Sequence, residues 1–374
     1  MGVEVVKIVV TGANGFIGKN LMHRLARIEG ASVHPYDVDC DPNSLEEMLD
    51  GCDVVFHLAG INRPKDQDEY MEGNFGFTKT LLDTLDRLCA RPKIVVSSSI
   101  QAELSNPYGV SKKAGEDAVR SFAASRDISA VIYRFPNVFG KWCRPNYNSA
   151  VATFCHNIAR SLPITVSDPE NLLHLVYIDD VVDELVLCLE DKEHVQNGYG
   201  YVPCVYDVRL GDIPKLLYSF SKSRENLLLP NLSDGFEKKL YSTYLSYLPE
   251  DDFSYPLDMH VDNRGSFTEF LKTPERGQVS VNISHPGIVK GNHWHNTKNE
   301  KFLVVKGKGV IRLRKVGDHK ITEYHVSGDK LEVVDIPCGY THNIENVGDE
   351  DMVTVMWVNE IFDPDRGDTY HEEV

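Results

Sequence analysis

Two groups of residues in this 374-residue chain have the types and spacing to do chemistry: Tyr108-Gly-Val-Ser-Lys112, and His293-Trp-His295-Asn-Thr-Lys-Asn-Glu300. Tyr108 and Lys112 lie one helical turn apart, so the ammonium can reach toward the phenol. A cation there would stabilise phenolate, lower the phenol pKa and make it usable as an acid or base near neutrality. By itself a Tyr-x-x-x-Lys usually marks a solvated helix face. Here Ser97-Ser98-Ser99 ends the preceding apolar run and offers a hydroxyl to a substrate oxygen. In the second group, His293 and His295 leave the same face of a strand. Glu300 follows the polar turn 296–299, and His342 lies in Pro337-Cys-Gly-Tyr-Thr-His342-Asn-Ile-Glu-Asn346. Three imidazoles and a carboxylate suit one divalent transition metal with an open position, Zn²⁺ first.

Positioning these residues takes two kinds of architecture. Ile8-Val-Val-Thr-Gly12-Ala-Asn14-Gly15-Phe16-Ile17-Gly18 reads as a strand, a tight glycine turn and a helix start. Gly12 permits the turn, Gly15 lets the backbone approach a pyrophosphate, and Gly18 allows close helix–strand packing. The amides at the helix N-terminus then hold phosphate. Asp37 ends the next strand, where a carboxylate can bind the adenosine ribose hydroxyls; this favours NADH, because a carboxylate repels a 2′-phosphate. Strands at 7–11, 32–37, 53–59, 93–98 and 130–134 alternate with amphipathic helices, which predicts an α/β, Rossmann-like, doubly wound parallel sheet. Beyond residue 250 the texture changes to β-branched and aromatic runs at 278–283, 301–305, 310–314, 321–326 and 352–357, which predicts an all-β barrel or sandwich. The expected domains are 1–245 and 246–374.

A net charge of −17 argues against a nucleic-acid partner and against an anionic membrane surface. No run of eighteen apolar residues occurs, and the N-terminus carries no signal peptide, so a cytoplasmic enzyme is expected. The eight cysteines form no CxxC pair and read as scattered reduced thiols. His57, His156, His174 and His319 have no partner pattern and read as structural or surface residues. A homo-oligomer, by default a dimer, is expected.

The first half resembles the extended short-chain dehydrogenase/reductase family of nucleotide-sugar enzymes. Besides the glycine turn and Tyr108/Lys112, the matching segments are Asp53-Val-Val-Phe-His-Leu58-Ala59-Gly60, Asn74-Phe-Gly-Phe-Thr78, Tyr133-Arg-Phe-Pro-Asn-Val-Phe-Gly140 and Val176-Tyr-Ile-Asp-Asp180. The resemblance implies Ser99, Tyr108 and Lys112 as the catalytic triad, with Ser98 the alternative to Ser99. It implies Asn74 as support for a proton relay, and a sugar-nucleotide region at 141–149. Gly12, Asn14, Gly15, Phe16, Ile17, Gly18, Asp37, Leu58, Ala59, Gly60 and Asn74, with Tyr108 and Lys112, would bind the cofactor.

The second half carries both cupin motifs, Gly287 to Gly307 and Pro337 to Asn346, with Leu331 where a glycine is usual and Gly328 three residues earlier. Val261-Asp-Asn-Arg-Gly-Ser-Phe-Thr-Glu269 resembles the entry strand of 4-keto-sugar 3,5-epimerases, in which a non-metal histidine abstracts a sugar proton. His293 therefore has two candidate roles, ligand or base. The order of the halves resembles a family of bifunctional capsular polysaccharide-synthesis enzymes. That resemblance implies C3 epimerisation of a UDP-linked 4-keto-6-deoxy-HexNAc by the cupin, then C4 reduction to UDP-2-acetamido-2,6-dideoxy-L-talose. It also implies NADPH, to which the whole-chain resemblance gives more weight than to the NADH indicated by Asp37. Two alternatives are a reductase whose cupin only binds sugar or dimerises, and a 4,6-dehydratase or C4 epimerase. Ser99-Ile-Gln lacks the acidic pair that dehydratases place after this strand.

Overall fold

The computed structural model describes residues 5–363, 365 and 367–374. It divides into two compact units, Met1–Leu217 with Gly235–Leu248, and Tyr218–Asp234 with Pro249–Val374. The composition shift near 245 predicts a single boundary; the structure also gives 218–234 to the second unit. The reason is backbone pairing. Leu229 N donates to Lys272 O at 2.9 Å and Lys272 N donates to Leu227 O at 2.8 Å, which ties this stretch to a strand of the second unit.

In the first unit β1 (Val6–Thr11), β2 (Ala31–Tyr36), β3 (Val54–His57), β4 (Lys93–Ser99) and β5 (Ala130–Phe135) pair in parallel in the order β2-β1-β3-β4-β5. Their apolar residues face both ways. Ile8, Val10, Phe56, Val95 and Val131 pack into one buried cluster, while Val9, Val55, Ile94, Val96 and Ile132 pack into another. Near-continuous apolar runs are what a sheet covered on both faces requires, and each fully buried Val or Ile contributes about 1.5–3 kcal/mol. β6 (Asn137–Phe139) and β7 (Leu172–Tyr177) form a second, smaller sheet. β8 (Val195–Gln196) and β9 (Tyr199–Gly200) extend the large sheet, and β10 (Tyr206–Arg209) completes the small one.

The second unit is all-β apart from its short helical pieces. Its strands are β11 (Met259–Asp262), β12 (Gly265–Thr273), β13 (Gly277–Ser284), β14 (Val289–Trp294), β15 (Glu300–Lys306) and β16 (Lys308–Lys315). They continue with β17 (Ile321–Ser327), β18 (Val333–Ile336), β19 (Tyr340–Asn346), β20 (Met352–Val358) and β21 (Tyr370–His371). They make two antiparallel sheets, β11-β12-β13-β20-β15-β18 and β17-β16-β19-β14-β21. Phe302, Val304, Ile311, Leu313, Ile336, Ile344 and Met352 form the core of this unit. Gly328 N donates to Gly307 O at 3.0 Å, and a Cβ at Gly328 would lie 2.7 Å from Val305 O, so the turn shifted away from Leu331 needs glycine where it stands. No helix among the described residues is long and apolar enough to cross a membrane.

Candidate functional site

The glycine turn is forced by close backbone approach. A Cβ on Gly12, whose φ is +71°, would lie 2.6 Å from Ala59 N, and one on Gly18 would lie 2.1 Å from Gly12 O. Helix Phe16–Leu25 starts at Gly15 with no side-chain cap, which leaves its first amides open to a phosphate. Asp37 follows β2 directly. One of its carboxylate oxygens accepts from Asn14 N at 2.7 Å and the other from Val38 N at 2.8 Å, so the carboxylate is fixed against the glycine turn.

Helix Pro107–Arg126 begins where Asn106 caps the Gly109 amide at 2.8 Å and proline occupies the first helical position. This start puts Tyr108 in the first turn. The three serines that end β4 differ in their contacts. Ser97 O accepts from Lys112 Nζ at 3.3 Å, Ser98 donates to Glu116 Oε1 at 2.6 Å, and Ser99 Oγ accepts from Gln101 N at 3.2 Å while standing close enough to the Tyr108 phenol to lower its pKa. The geometry thus brings Ser99, not Ser98, to the phenol. Burial raises the Tyr108 pKa above its usual value, the Ser99 hydroxyl opposing. The sequence pattern predicts that Lys112 lowers it instead. The ammonium is turned toward Ser97 O and lies 5.9 Å from the ring centroid, which accounts for the difference. Burial pushes Lys112 itself down to about 8, with Glu116 opposing.

Gly12, Asn14, Gly15, Phe16, Ile17, Gly18, Leu58, Gly60, Ser99, Tyr108 and Lys112 all line one cleft of about 1540 Å³. Ala59 and Asn74 sit behind it, sharing a small cavity with Lys112. Asn74 lies in a π-helical turn, Met71–Gly76, accepts from Ile61 N at 2.9 Å and donates to Ser111 Oγ at 3.0 Å. A Cβ on Gly60 would fall 2.8 Å from both Asn74 Oδ1 and Lys112 Nζ, so glycine leaves these two room to approach. Trp142, Arg144 and Tyr147, from the 141–149 segment, line the same cleft. Tyr70 was not singled out by any motif; it stands edge-on to Tyr108 at 5.7 Å between centroids in the cleft wall. His57 is a buried strut, with Thr11 and Thr78 hydroxyls at 2.8 Å from its two ring nitrogens.

In the second unit, one ligand atom from each of His293, His295, Glu300 and His342 lies within 4.8 Å of the others. Glu300 opens β15 of one sheet, while His293 and His342 face each other across the β14–β19 pairing of the other. Glu300 Oε2 is 3.0 Å from His342 Nε2 and 3.6 Å from His295 Nε2. Those three atoms are buried without a geometrically satisfactory hydrogen bond. Buried polar atoms are rarely left this way, and a shared cation would satisfy all three, so the donor set fits a divalent ion. Burial works against the Glu300 carboxylate, yet the two imidazoles hold it well below the usual carboxylate range. His293 is half-buried, unlike His295 and His342, and burial beside His342 lowers it to about 4, leaving it neutral at pH 7.

Comparison with known proteins agrees with this division. Residues 8–202 match the NAD dependent epimerase/dehydratase family, and residues 260–370 match the polysaccharide biosynthesis C-terminal domain. A UDP-2-acetamido-2,6-beta-L-arabino-hexul-4-ose reductase from Pseudomonas aeruginosa is 43% identical over 97% of this chain and 98% of its own length. The crystal structure of the capsular polysaccharide assembling protein CapF from Staphylococcus aureus superposes with a TM-score of 0.94 at 57% identity, covering 99% of this chain and all of that one (100%). A UDP-glucuronic acid 4-epimerase from Bacillus cereus, solved with NAD, shares 25% identity and a TM-score of 0.51 over 58% of this chain and 84% of its own. Family membership implies a nicotinamide cofactor, and by these matches the chain is a member of the NAD dependent epimerase/dehydratase family.

Proposed function

We propose that this chain carries out two consecutive steps on a UDP-linked 4-keto-6-deoxy-HexNAc in capsular or other surface polysaccharide synthesis. The second unit, read as a cupin, epimerises C3; the first unit reduces the C4 ketone and forms UDP-2-acetamido-2,6-dideoxy-L-talose. The observation that carries this is the presence of two chemically complete sets, Ser99/Tyr108/Lys112 in a nucleotide-sized cleft and a His/His/Glu/His cluster in the other unit. The reductase named above, alike over nearly its whole length, supports it.

A bound nicotinamide would supply hydride to C4, and a bound divalent ion, held by His295, Glu300 and His342, would polarise the substrate's oxygen. In the first unit, Ser99 donates a hydrogen bond to O4 and Tyr108 gives it a proton. The raised Tyr108 pKa suits that direction, because burial keeps the phenol protonated. Lys112, turned toward Ser97 O beside the phenol, would hold the cofactor ribose. In the second unit, His293 removes the C3 proton, which the adjacent C4 ketone makes acidic, and reprotonation comes from the other face. Reduction then destroys the ketone and fixes the new configuration.

The family resemblance favours NADPH, but one observation favours NADH. Asp37 is fixed beside the glycine turn, and no Lys or Arg occurs from residue 28 to residue 62 to meet a 2′-phosphate.

Solvent-deuterium incorporation into the 4-keto sugar separates the two steps. Tyr108→Phe is expected to exchange the C3 proton without consuming reduced cofactor. His342→Ala is expected to lose exchange while still reducing sugar that is already epimerised. Loss of both steps in both variants would overturn the two-site reading.

A further inference from the structure

The residues after the last long strand, 368–373, touch every part of the second unit that carries a cluster histidine. The Asp368 carboxylate closes the turn between β14 and β15. It accepts from Asn296 N at 3.0 Å, Thr297 N at 2.8 Å, Lys298 N at 3.0 Å and Thr297 Oγ1 at 3.2 Å. The backbone carbonyl of the same residue accepts from His295 Nδ1. Two residues on, Tyr370 and His371 pair as β21 with Trp294 and His293, and the Tyr370 and Trp294 rings stack 4.7 Å apart. Glu372 N donates to Asn292 O at 3.0 Å, and Glu372 O accepts from Thr341 Oγ1, next to His342. Arg314 Nη2 ties the Glu372 carboxylate to β16 at 2.8 Å.

These contacts have a chemical consequence at His295. With Nδ1–H donated to the Asp368 carbonyl, the lone pair is left on Nε2, the atom that is buried, unsatisfied and aimed at Glu300. The carbonyl selects the tautomer and the ring orientation that a ligand needs. The carboxylate in turn holds three successive amides of the turn, so that turn cannot swing without breaking four hydrogen bonds.

We propose that Asp368 is the positioning residue of the divalent-ion site: its carbonyl sets the His295 tautomer, and its carboxylate fixes the turn that joins His295 to Glu300. The inference rests on the metal reading of the cluster given above. A surface clamp with no part in ligation would hold the loop but would not place its carbonyl on the ligand's distal nitrogen.

The test is zinc affinity of the full-length chain, measured by competition with a chromophoric chelator, together with the visible spectrum of the Co²⁺-substituted protein. Asp368→Ala keeps the backbone carbonyl but removes the carboxylate that fixes it beside the turn, and is expected to weaken Zn²⁺ binding roughly 10–100-fold, the scale of disturbing an outer-shell partner, and to change the Co²⁺ band intensities. Asp368→Asn retains one acceptor oxygen and is expected to fall between wild type and Asp368→Ala; if the alanine variant does not fold, the asparagine variant carries the test. A purely structural role would lower the melting temperature of the ion-free protein and leave Zn²⁺ affinity unchanged in the folded variant, which would overturn this inference alone. A wild-type chain that binds neither ion would overturn the metal reading and this inference with it.

Discussion

Ser98 donates its hydroxyl to the Glu116 carboxylate at 2.6 Å, and that bond turns Ser98 away from the Tyr108 phenol, beside which Ser99 stands. Glu116 is buried and also takes Arg134 Nε at 2.9 Å and Nη2 at 2.6 Å, so its charge is compensated in place. Alternation along β4 then turns the Ser99 side chain the other way, to Tyr108.

Ser98 and Ser99 should therefore respond differently to alanine. Ser99→Ala is expected to lower kcat for keto-sugar reduction by about 10²-fold, the scale of losing one donor to a developing oxyanion, with an unchanged melting temperature. Ser98→Ala is expected to destabilise the protein by about 1.5–3 kcal/mol, as for a hydrogen bond to a charged group, while folded enzyme keeps its kcat. Steady-state kinetics beside thermal melts would show it; loss of kcat in Ser98→Ala with kcat kept in Ser99→Ala would reverse the assignment, and equal loss in both would overturn it.

What the sequence made legible was local. Tyr108, Lys112 and the glycine turn declare themselves through spacing within one helical turn or one strand–turn–helix unit, and the strand positions followed from apolar runs. The Ser98–Glu116–Arg134 contact joins residues 18 apart to each side of Glu116, on three different elements, and no periodicity announces it. The stretch 218–234 goes with the second unit because of two backbone bonds to Lys272, which composition cannot express. Asp368 lies about 70 residues from the turn it closes and reads as one acid among many in an acidic chain. At Tyr108 the local pattern predicts a lowered pKa, whereas burial raises it and outweighs a cation that faces elsewhere.

Lys112 gives the reduction an alkaline limit. Burial lowers its pKa to about 8, so it is charged below that pH and neutral above it. In the proposed reduction the charged form is the one that would hold the cofactor ribose. Reduction is thus expected to be fullest below pH 8 and to fall as pH rises through about 8 in a profile of kcat/KM. Lys112→Arg, whose guanidinium stays protonated, should lose activity through misfit but should lack that alkaline fall. A limb that persists in the arginine variant would have to come from another group.

Cofactor choice tests Asp37. NADH is expected to give the higher kcat/KM, and Asp37→Ala to lower the NADH value roughly 10–100-fold, the loss of a charged hydrogen bond worth about 1.5–3 kcal/mol. NADPH should improve in the same variant as repulsion of the 2′-phosphate is relieved. Because Asp37 also holds the Asn14 amide, Asp37→Asn is the control: it keeps an acceptor for the turn but removes the charge. If NADPH is preferred by wild type and neither substitution changes the ratio, selection lies elsewhere in the cleft.

The two candidate roles of His293 separate on metal content. The three buried atoms without satisfactory partners belong to His295, Glu300 and His342, whereas His293 is more open and neutral at pH 7. Wild type and His293→Ala are both expected to retain one Zn²⁺ per chain after dialysis against buffer, and His342→Ala to retain none. Both variants should lose C3 exchange, one for want of a base and the other for want of an ordered site. Adding Zn²⁺ at 100 times its Kd should stabilise wild type and His293→Ala by about 2.7 kcal/mol and leave His342→Ala unmoved. If His293→Ala instead loses the ion as completely as His342→Ala, His293 is a ligand and the base must be sought among the other groups that face the cluster.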